Sequence, residues 1–313
     1  MMHVLVVGAG AMGCLFGARF AMAGAEVLLL DVDVTHVEAI QTHGLRLQEM
    51  DGEEKLVRLN ASFEPVPLEP GADLVLVMVK SYATREALRL VPPQSVTPET
   101  LFLTLQNGMG NGETLAHLVG PERVLVGVTA QGATKLAPGV VRHGGVGPTS
   151  FGSFTGSKPP GIQNILNLFA ESGLEAHYRE DIRRILWQKL CVNVGINAIT
   201  ALCGLTNGQI PGIVLARELC AAAVREAMAV ARTEGIHLPE DTVEHVLAVA
   251  QATATNRSSM RQDVEARRPT EINAINGAVV QYAEERGLSA PVNWTLTQLV
   301  RIKESSYDHE PKT

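Results

Sequence analysis

Long runs of any one kind are missing from this 313-residue chain, and each absence removes a class of function. There is no extended basic run. With 26 lysines and arginines against 33 acids the formal net charge is −7, a poor match to a phosphate backbone, so no nucleic-acid partner is expected. No uninterrupted apolar stretch approaches membrane-spanning length, and no membrane partner is expected either. The apolar N-terminus lacks a basic leader and is broken by three glycines, which sets it apart from a secretory signal. Cysteine is scarce: Cys14, Cys191, Cys203 and Cys220 lie far apart, without C-x-x-C or a histidine at ligand spacing. They read as reduced, buried thiols of a cytoplasmic protein that has no metal site. No internal repeat of fixed period occurs, and disorder is expected only from about Ser306 to Thr313. What remains is an ordinary globular composition, 46% hydrophobic and 19% charged, over a length that suits about two domains.

The first thirty residues carry the most specific pattern. Val4 to Val7 form a buried-strand run that leads directly into Gly8-Ala9-Gly10-Ala11-Met12-Gly13, after which Leu15, Phe16, Ala18, Phe20 and Ala21 fall at helical spacing. A second strand, Glu26 to Leu30, ends at Asp31. Strand, glycine turn, helix, strand and terminal acid together describe a unit that binds a nicotinamide or flavin dinucleotide. Gly8 allows the tight turn, Gly10 lets the backbone approach a pyrophosphate, and Gly13 permits close helix packing. The helix N-terminus supplies the anion site. The alternative is a glycine-rich turn kept for packing alone.

Further β-rich runs follow at Leu74 to Val79, Leu101 to Leu105 and Val124 to Val128, alternating with helical stretches. Polar residues close three of these runs: Lys80 and Ser81, Gln106 and Asn107, Thr129 and Gln131. Ligands of doubly wound sheets sit at the carboxyl ends of strands, so these residues are expected to line the cofactor cleft. Gly139 to Phe154 reads as an antiparallel hairpin at one sheet edge, followed by a helix from Pro159-Pro160 to about Ser172 and a strand at Leu174 to Tyr178. After Asp181, a helix N-cap, only helical periodicity remains, with helices expected near 182–202, 211–235, 240–255, 260–267, 271–286 and 291–305. The expected fold class is α/β: a Rossmann-type doubly wound sheet over residues 1–180, then an all-helical C-terminal domain over 181–313, with the active site between them.

Lys189, Asn193 and Asn197 are spaced i, i+4 and i+8, which places them on one face of an otherwise apolar helix. Asparagine is a poor helix-interior residue and lysine is costly to bury, so this stripe calls for a ligand or polar partner. The alternative is a solvated stripe from which Lys189 snorkels to water. A second constellation comprises Asn256-Arg257-Ser258-Ser259-Met260 and Pro269-Thr270-Glu271-Ile272-Asn273, whose serines and acid taken alone are ordinary helix-start residues.

As a set these motifs resemble the ketopantoate reductases (2-dehydropantoate 2-reductases). The resemblance rests on Gly8 to Gly13, Val79-Lys80, Asn107-Gly108-Met109-Gly110, Leu186-Trp187-Gln188-Lys189-Leu190 with Asn193 and Asn197, Asn207-Gly208, Ser258-Ser259-Met260 and Thr270-Glu271-Ile272, and runs almost to the C-terminus. It implies Lys189 as general acid and substrate contacts from Asn193, Asn197, Asn207, Asn256, Ser258 and Ser259. It also implies cofactor contacts from Gly8, Ala9, Gly10, Ala11, Met12, Gly13, Lys80, Asn107, Ala133 and Glu271, with Asn107 and Glu271 also near a substrate hydroxyl. The resemblance implies NAD(P)H-dependent reduction of a small 2-keto acid, first of all ketopantoate to (R)-pantoate for pantothenate and coenzyme A synthesis, and the family's usual cofactor is NADPH. Asp31-Val32-Asp33 departs from that pattern, since a carboxylate at Asp31 accepts from a ribose 2′-hydroxyl and repels a 2′-phosphate, which favours NADH. The alternative is that Asp31 or Asp33 caps the following helix. Asn273 stands where some relatives carry aspartate, with no consequence readable from sequence. Rival functions are an NAD-dependent D-2-hydroxyacid dehydrogenase with the same machinery and a non-catalytic nucleotide sensor. The stripe Val214, Leu215, Leu219 and Ala222 suits a homodimer interface and a monomer core equally.

Overall fold

The computed structural model describes residues 1–308. Of the tail expected to be disordered, Ser306–Asp308 form a 3-10 turn and 309–313 lie outside the described residues. Backbone contacts divide the chain into two compact units: Met1–Gln106 with Asn111–Ile182, and Asn107–Gly110 with the chain from Arg183 onward.

The first unit contains, in order, β1 (His3–Val7), α1 (Ala11–Met22), β2 (Glu26–Leu30), α2 (Val34–His43), β3 (Leu45–Gln48), β4 (Glu54–Val57), β5 (Asn60–Ser62), β6 (Ala72–Val77), α3 (Thr84–Arg89), β7 (Val96–Thr104), α4 (Asn111–Val119), β8 (Val124–Thr129), β9 (Gly132–Ala137), β10 (Val140–Gly145), β11 (Thr149–Ser153), α5 (Ile162–Glu171) and β12 (Ala176–Tyr178). Six strands run parallel in the order β8-β7-β6-β1-β2-β5, with β11 antiparallel to β8 and β12 parallel to β11. Counted among themselves, the six parallel strands have the doubly wound order, which reverses between β1 and β6. Val4, Leu5, Val6 and Val7 are at most 1% exposed, which is why β1 is apolar at every position rather than alternating.

The 139–154 stretch does not form one edge hairpin. Its first half, β10, pairs with β9 and β3 in a separate sheet of order β4-β3-β10-β9, and its second half, β11, joins the main sheet. α1 touches strands of both sheets and α5, so it is buried around most of its circumference. Phe16 and Phe20 there join Phe169 and Phe151 in a ring cluster with centroids 5.1–6.0 Å apart. The β3–β4 hairpin did carry a sequence signal: alternating residues flank Asp51-Gly52, with Gly52 at φ +90° and the Asp51 carboxylate accepting from Glu53 N.

The second unit is helical: α6 (Ile182–Cys203), α7 (Gln209–Gly212), α8 (Val214–Thr233), α9 (Thr242–Ala252), α10 (Ser259–Glu265), α11 (Asn276–Glu285) and α12 (Pro291–Ser305). The single helix expected over 211–235 is divided, because Ile213 is extended (φ −99°, ψ 112°) after Pro211 and Gly212. The helix expected from 271 starts at Asn276 instead. The chain before it is a compact turn in which Glu271 O accepts from Ala274 N and Ile275 N, and Thr270 Oγ1 from Ile272 N. By length and apolar composition α6 would span a membrane, yet most of it is packed inside the unit. Trp187, Leu190, Cys191, Val194 and Ile199 belong to the core, and Gly195 admits Cys220, Val224 and Val246 to within 2.9 Å of where a Cβ would stand. Cys203 is exposed, against the expectation that all four thiols are buried.

Candidate active site

The glycine turn sits at the carboxyl end of β1, where the strand order reverses. Gly8 has φ +102°, and a Cβ on it would lie 2.6 Å from Val79 N, so only glycine fits where the turn after β1 meets the chain after β6. A Cβ at Gly13 would fall on the Gly8 carbonyl oxygen, whereas one at Gly10 would have no atom within 4 Å. The close approach at Gly13 is therefore to the turn itself, and the space over Gly10 is open on the side a pyrophosphate needs. Gly10 makes no side-chain cap, so the first amides of α1, at Ala11, Met12 and Gly13, have no intrahelical acceptor. Ala9 is buried and its carbonyl accepts from the Cys14 thiol at 3.1 Å. These features fit a dinucleotide phosphate held on backbone amides at a helix dipole.

Beside the turn lies a cavity of ≈ 460 Å³ lined by Gly8, Asp31, Val79, Glu86, Leu90 and apolar neighbours. The two aspartates after β2 divide the roles that sequence left open. Asp33 caps α2, accepting from His36 N at 3.1 Å, and is paired with Lys135 at 2.8 Å. Asp31 lines the cavity and its carboxylate accepts a local hydrogen bond from Asp33 N, at 2.9 Å. Lys80 opens the 3-10 turn Ser81–Ala83, and Ala133 lies on β9 against the core. Gln106 and Gln131, expected to line the cleft, are 8% and 9% exposed. Their amides bond to neighbouring loops, at Val79 O and Gly147 O, and Thr129 Oγ1 bonds to Thr149 Oγ1.

In the helical unit the polar stripe is not a solvated face. Asn197 is 6% exposed, and Asn193 Nδ2 is buried with no hydrogen-bond partner among the described residues. Lys189 retains some surface, but burial of its ammonium lowers the pKa to about 8, while the Glu271 carboxylate acts in the opposite direction. Glu271 itself is 6% exposed. The loop Asn107–Gly110 is anchored on the Glu271 turn: Met109 N donates to Ala274 O at 2.8 Å, and a Cβ at Gly108 (φ +85°) would collide with that same carbonyl. Asn207 Nδ2 donates to Thr253 Oγ1 at 2.9 Å, and that hydroxyl donates in turn to Val249 O, which leaves Asn207 Oδ1 buried with no donor among the described residues. Asn207 N donates to Asn256 O, tying the two segments together, although the Asn256 residue is exposed.

Ser258 is committed to the fold. Its hydroxyl caps α10 through Arg261 N at 3.1 Å and meets Thr200 Oγ1 at 2.7 Å, whereas Ser259, the neighbouring candidate, is exposed. Thr200, one turn beyond Asn197 and fully buried, escaped the sequence reading because a lone threonine in an apolar helix gives no signal. Asn273 gains a role, since its Oδ1 accepts from Arg301 Nε and Nη2 at 2.9 and 2.7 Å and fastens the turn to α12.

Residues 4–156 match the family described as ketopantoate reductase PanE/ApbA, and residues 181–304 match its C-terminal domain. A 2-dehydropantoate 2-reductase of Halobacterium salinarum is 38% identical over 301 residues, covering 96% of this chain and 98% of that protein. Among solved structures, a PanE/ApbA family ketopantoate reductase from Ralstonia eutropha is similar with TM-score 0.90 and 33% identity, over 98% of this chain and 100% of that one. A ternary structure of D-mandelate dehydrogenase with NADH and anilino(oxo)acetate is similar with TM-score 0.91 and 29% identity, over 98% of this chain and 99% of that one. With both parts of the chain matched and a relative of this identity spanning nearly all of it, the protein belongs to the ketopantoate reductase family.

Proposed function

We propose that this protein is a 2-dehydropantoate 2-reductase, reducing ketopantoate to (R)-pantoate for pantothenate and coenzyme A synthesis, with NADH as the preferred donor. The observation that carries the reading is a desolvated Lys189 in a unit where, among the described residues, a pair of expected site residues, the buried amide donor Asn193 Nδ2 and the buried amide acceptor Asn207 Oδ1, lack a hydrogen-bond partner, as does Asn276 Oδ1. Buried polar atoms are rarely left unmatched, so the pair calls for a ligand that offers both an acceptor and a donor. A hydroxylated keto acid does so, through its carboxylate or carbonyl oxygens and its hydroxyl.

A reduced nicotinamide supplies the hydride to the ketone carbon when bound. Negative charge then grows on the carbonyl oxygen, where Lys189 is assigned to stabilise it and hand over a proton from Nζ. With a pKa of about 8 the ammonium is charged at neutral pH yet gives up its proton more readily than an exposed lysine. Glu271 keeps that ammonium charged and is assigned to accept from the substrate hydroxyl. The ionisable groups lining the nucleotide cavity are the carboxylates Asp31 and Glu86, which suit a ribose 2′-hydroxyl and oppose a 2′-phosphate. Four free thiols agree with a cytoplasmic setting.

A second reading, an NAD-dependent D-2-hydroxyacid dehydrogenase, is favoured by Asp31 and by the likeness to D-mandelate dehydrogenase. Initial rates with NADH and NADPH, on ketopantoate beside 2-ketoisovalerate, 2-ketoisocaproate and phenylglyoxylate, separate the two. The proposal expects kcat/KM for ketopantoate at least tenfold above the others, about 1.4 kcal/mol of transition-state binding, and higher with NADH. Faster turnover of the aromatic or branched acid would establish the dehydrogenase instead. Lys189→Ala is expected to lower kcat by about 10²–10⁴-fold with nucleotide affinity retained.

A further inference from the structure

The carboxyl ends of the neighbouring strands β7 and β8 carry the same three-residue device. β7 ends at Thr104 and is followed by Leu105-Gln106; β8 ends at Thr129 and is followed by Ala130-Gln131. In both, the glutamine backbone N–H donates to the threonine Oγ1 two residues earlier, at 3.2 and 3.1 Å, forming a tight side-chain turn as the strand ends. In both, the glutamine Nε2 reaches across to a backbone carbonyl of another loop, Val79 O at 2.7 Å and Gly147 O at 2.6 Å. Each Oε1 is held as well, by Thr104 Oγ1 at 2.9 Å and by His143 Nε2 at 2.8 Å. Neither amide is left facing a ligand, which distinguishes these glutamines from Asn193 and Asn207.

The carbonyls they hold are not arbitrary. Val79 O belongs to the peptide that leads into Lys80, and Gln106 Nε2 also bonds to Thr84 Oγ1, which in turn donates to Ser81 O, so one amide fixes Val79 through Ser81. That segment packs against the glycine turn, where Val79 N lies 2.6 Å from where a Cβ on Gly8 would stand. Gln131 directly precedes Gly132-Ala133, and its His143 partner stands opposite Ala133 in the β9–β10 ladder. With Nε2 donating to Gln131, His143 Nδ1 accepts from Arg19 Nη2 of α1 at 3.4 Å, and Arg19 is paired with Glu49 at 2.7 Å, so this clamp is braced on the helix that opens the phosphate site.

We propose that Gln106 and Gln131 are positioning residues, paired Thr-x-Gln clamps that preorganise the loops after β6 and β8 for the dinucleotide without touching it. This rests on the reading of the first unit as a reduced-nicotinamide site. The test measures NADH dissociation constants directly, by calorimetry on the full chain, together with Tm and kcat at saturating nucleotide. Gln106→Met and Gln131→Met are expected to weaken NADH at least tenfold and to leave kcat at saturation within about twofold of wild type. Thr104→Ser, which keeps the orienting hydroxyl, is expected to bind NADH as wild type does, and the isosteric Thr104→Val to lose fivefold or more. That pair decides the matter should the glutamine variants fail to fold. Variants whose Tm falls while NADH binding stays within twofold of wild type would show a purely structural role and overturn the proposal. A wild-type chain that bound neither NADH nor NADPH would overturn the reading of the site itself, and the clamp role with it.

Discussion

Lys189 and Glu271 oppose each other's environment. Burial lowers the lysine pKa to about 8, and the carboxylate resists that fall. With Lys189 as the proposed general acid, reduction needs its protonated form, so kcat in that direction is expected to decline as pH rises through about 8. Removing the carboxylate charge in Glu271→Gln is expected to move the decline to lower pH; a pH-rate profile with an unmoved limb would uncouple the two residues. His36 titrates with the opposite consequence, for stability. Its Nδ1 accepts from Gly139 N at 2.9 Å, so Nε2 carries the proton toward Cys14 Sγ at 3.3 Å. Burial, followed by Lys135, lowers its pKa, against smaller upward contributions from Asp33 and Asp31. A depressed pKa means that the unfolded chain binds the proton first, so this contribution is complete above about pH 6.5 and is lost as pH falls through the lower folded value. Urea midpoints between pH 7 and 5 are expected to fall more steeply for wild type than for His36→Gln, and equal slopes would remove His36 from the account. Cys14 beside it is pushed up by burial and stays a thiol. The identities of Lys189, Asn193 and Asn197 were legible because helical spacing alone puts them on one stripe. That Ser258 meets Thr200 and that Asn193 Nδ2 has no partner among the described residues was not, since both depend on segments distant in sequence.

At the scale of elements, α12 shows how a helix start readable from sequence is completed from elsewhere. Pro291 marks the first turn, but Ala290 before it has no side chain to accept the free amides. Glu226 of α8 accepts from Val292 N and Asn293 N, both at 2.9 Å, and from Asn293 Nδ2 at 2.8 Å, while Asn293 Oδ1 takes Asn276 Nδ2 at 3.0 Å. A carboxylate at a helix N-terminus also meets the positive end of its dipole. Glu226→Ala is expected to cost about 2–3 kcal/mol in denaturant unfolding, because three donors lose a charged acceptor, with NADH affinity unchanged. A change below about 0.5 kcal/mol would mean that water replaces the carboxylate. The boundaries that sequence missed have the same origin. Asn276 begins α11 late because the Glu271 turn holds its own amides, and α8 begins late because Ile213 is extended.

Across the molecule, two separate apolar cores stand behind the two units, one built around β1, α1 and the phenylalanine cluster, the other around α6. A ligand that binds only the folded chain stabilises it by mass action. NADH at 100 times its dissociation constant is expected to add about 2.7 kcal/mol and raise Tm by roughly 3–5 °C, with a smaller rise from NADPH at equal concentration. Equal shifts from both nucleotides, read by scanning calorimetry, would remove selectivity at Asp31. The sequence by itself determined the parallel sheet, the glycine turn, the all-helical second half and the stripe on α6, because each is written in residues a few positions apart and obeys a strand or helix period. Only the tertiary structure decided that Asp33 caps while Asp31 lines the cavity, that the 139–154 stretch divides between two sheets, and that the Gln106 and Gln131 amides bond to Val79 O and Gly147 O. Those outcomes turn on hydrogen bonds between residues up to about a hundred positions apart, such as Lys135 to Asp33, and no local period records which distant partner a polar side chain will meet.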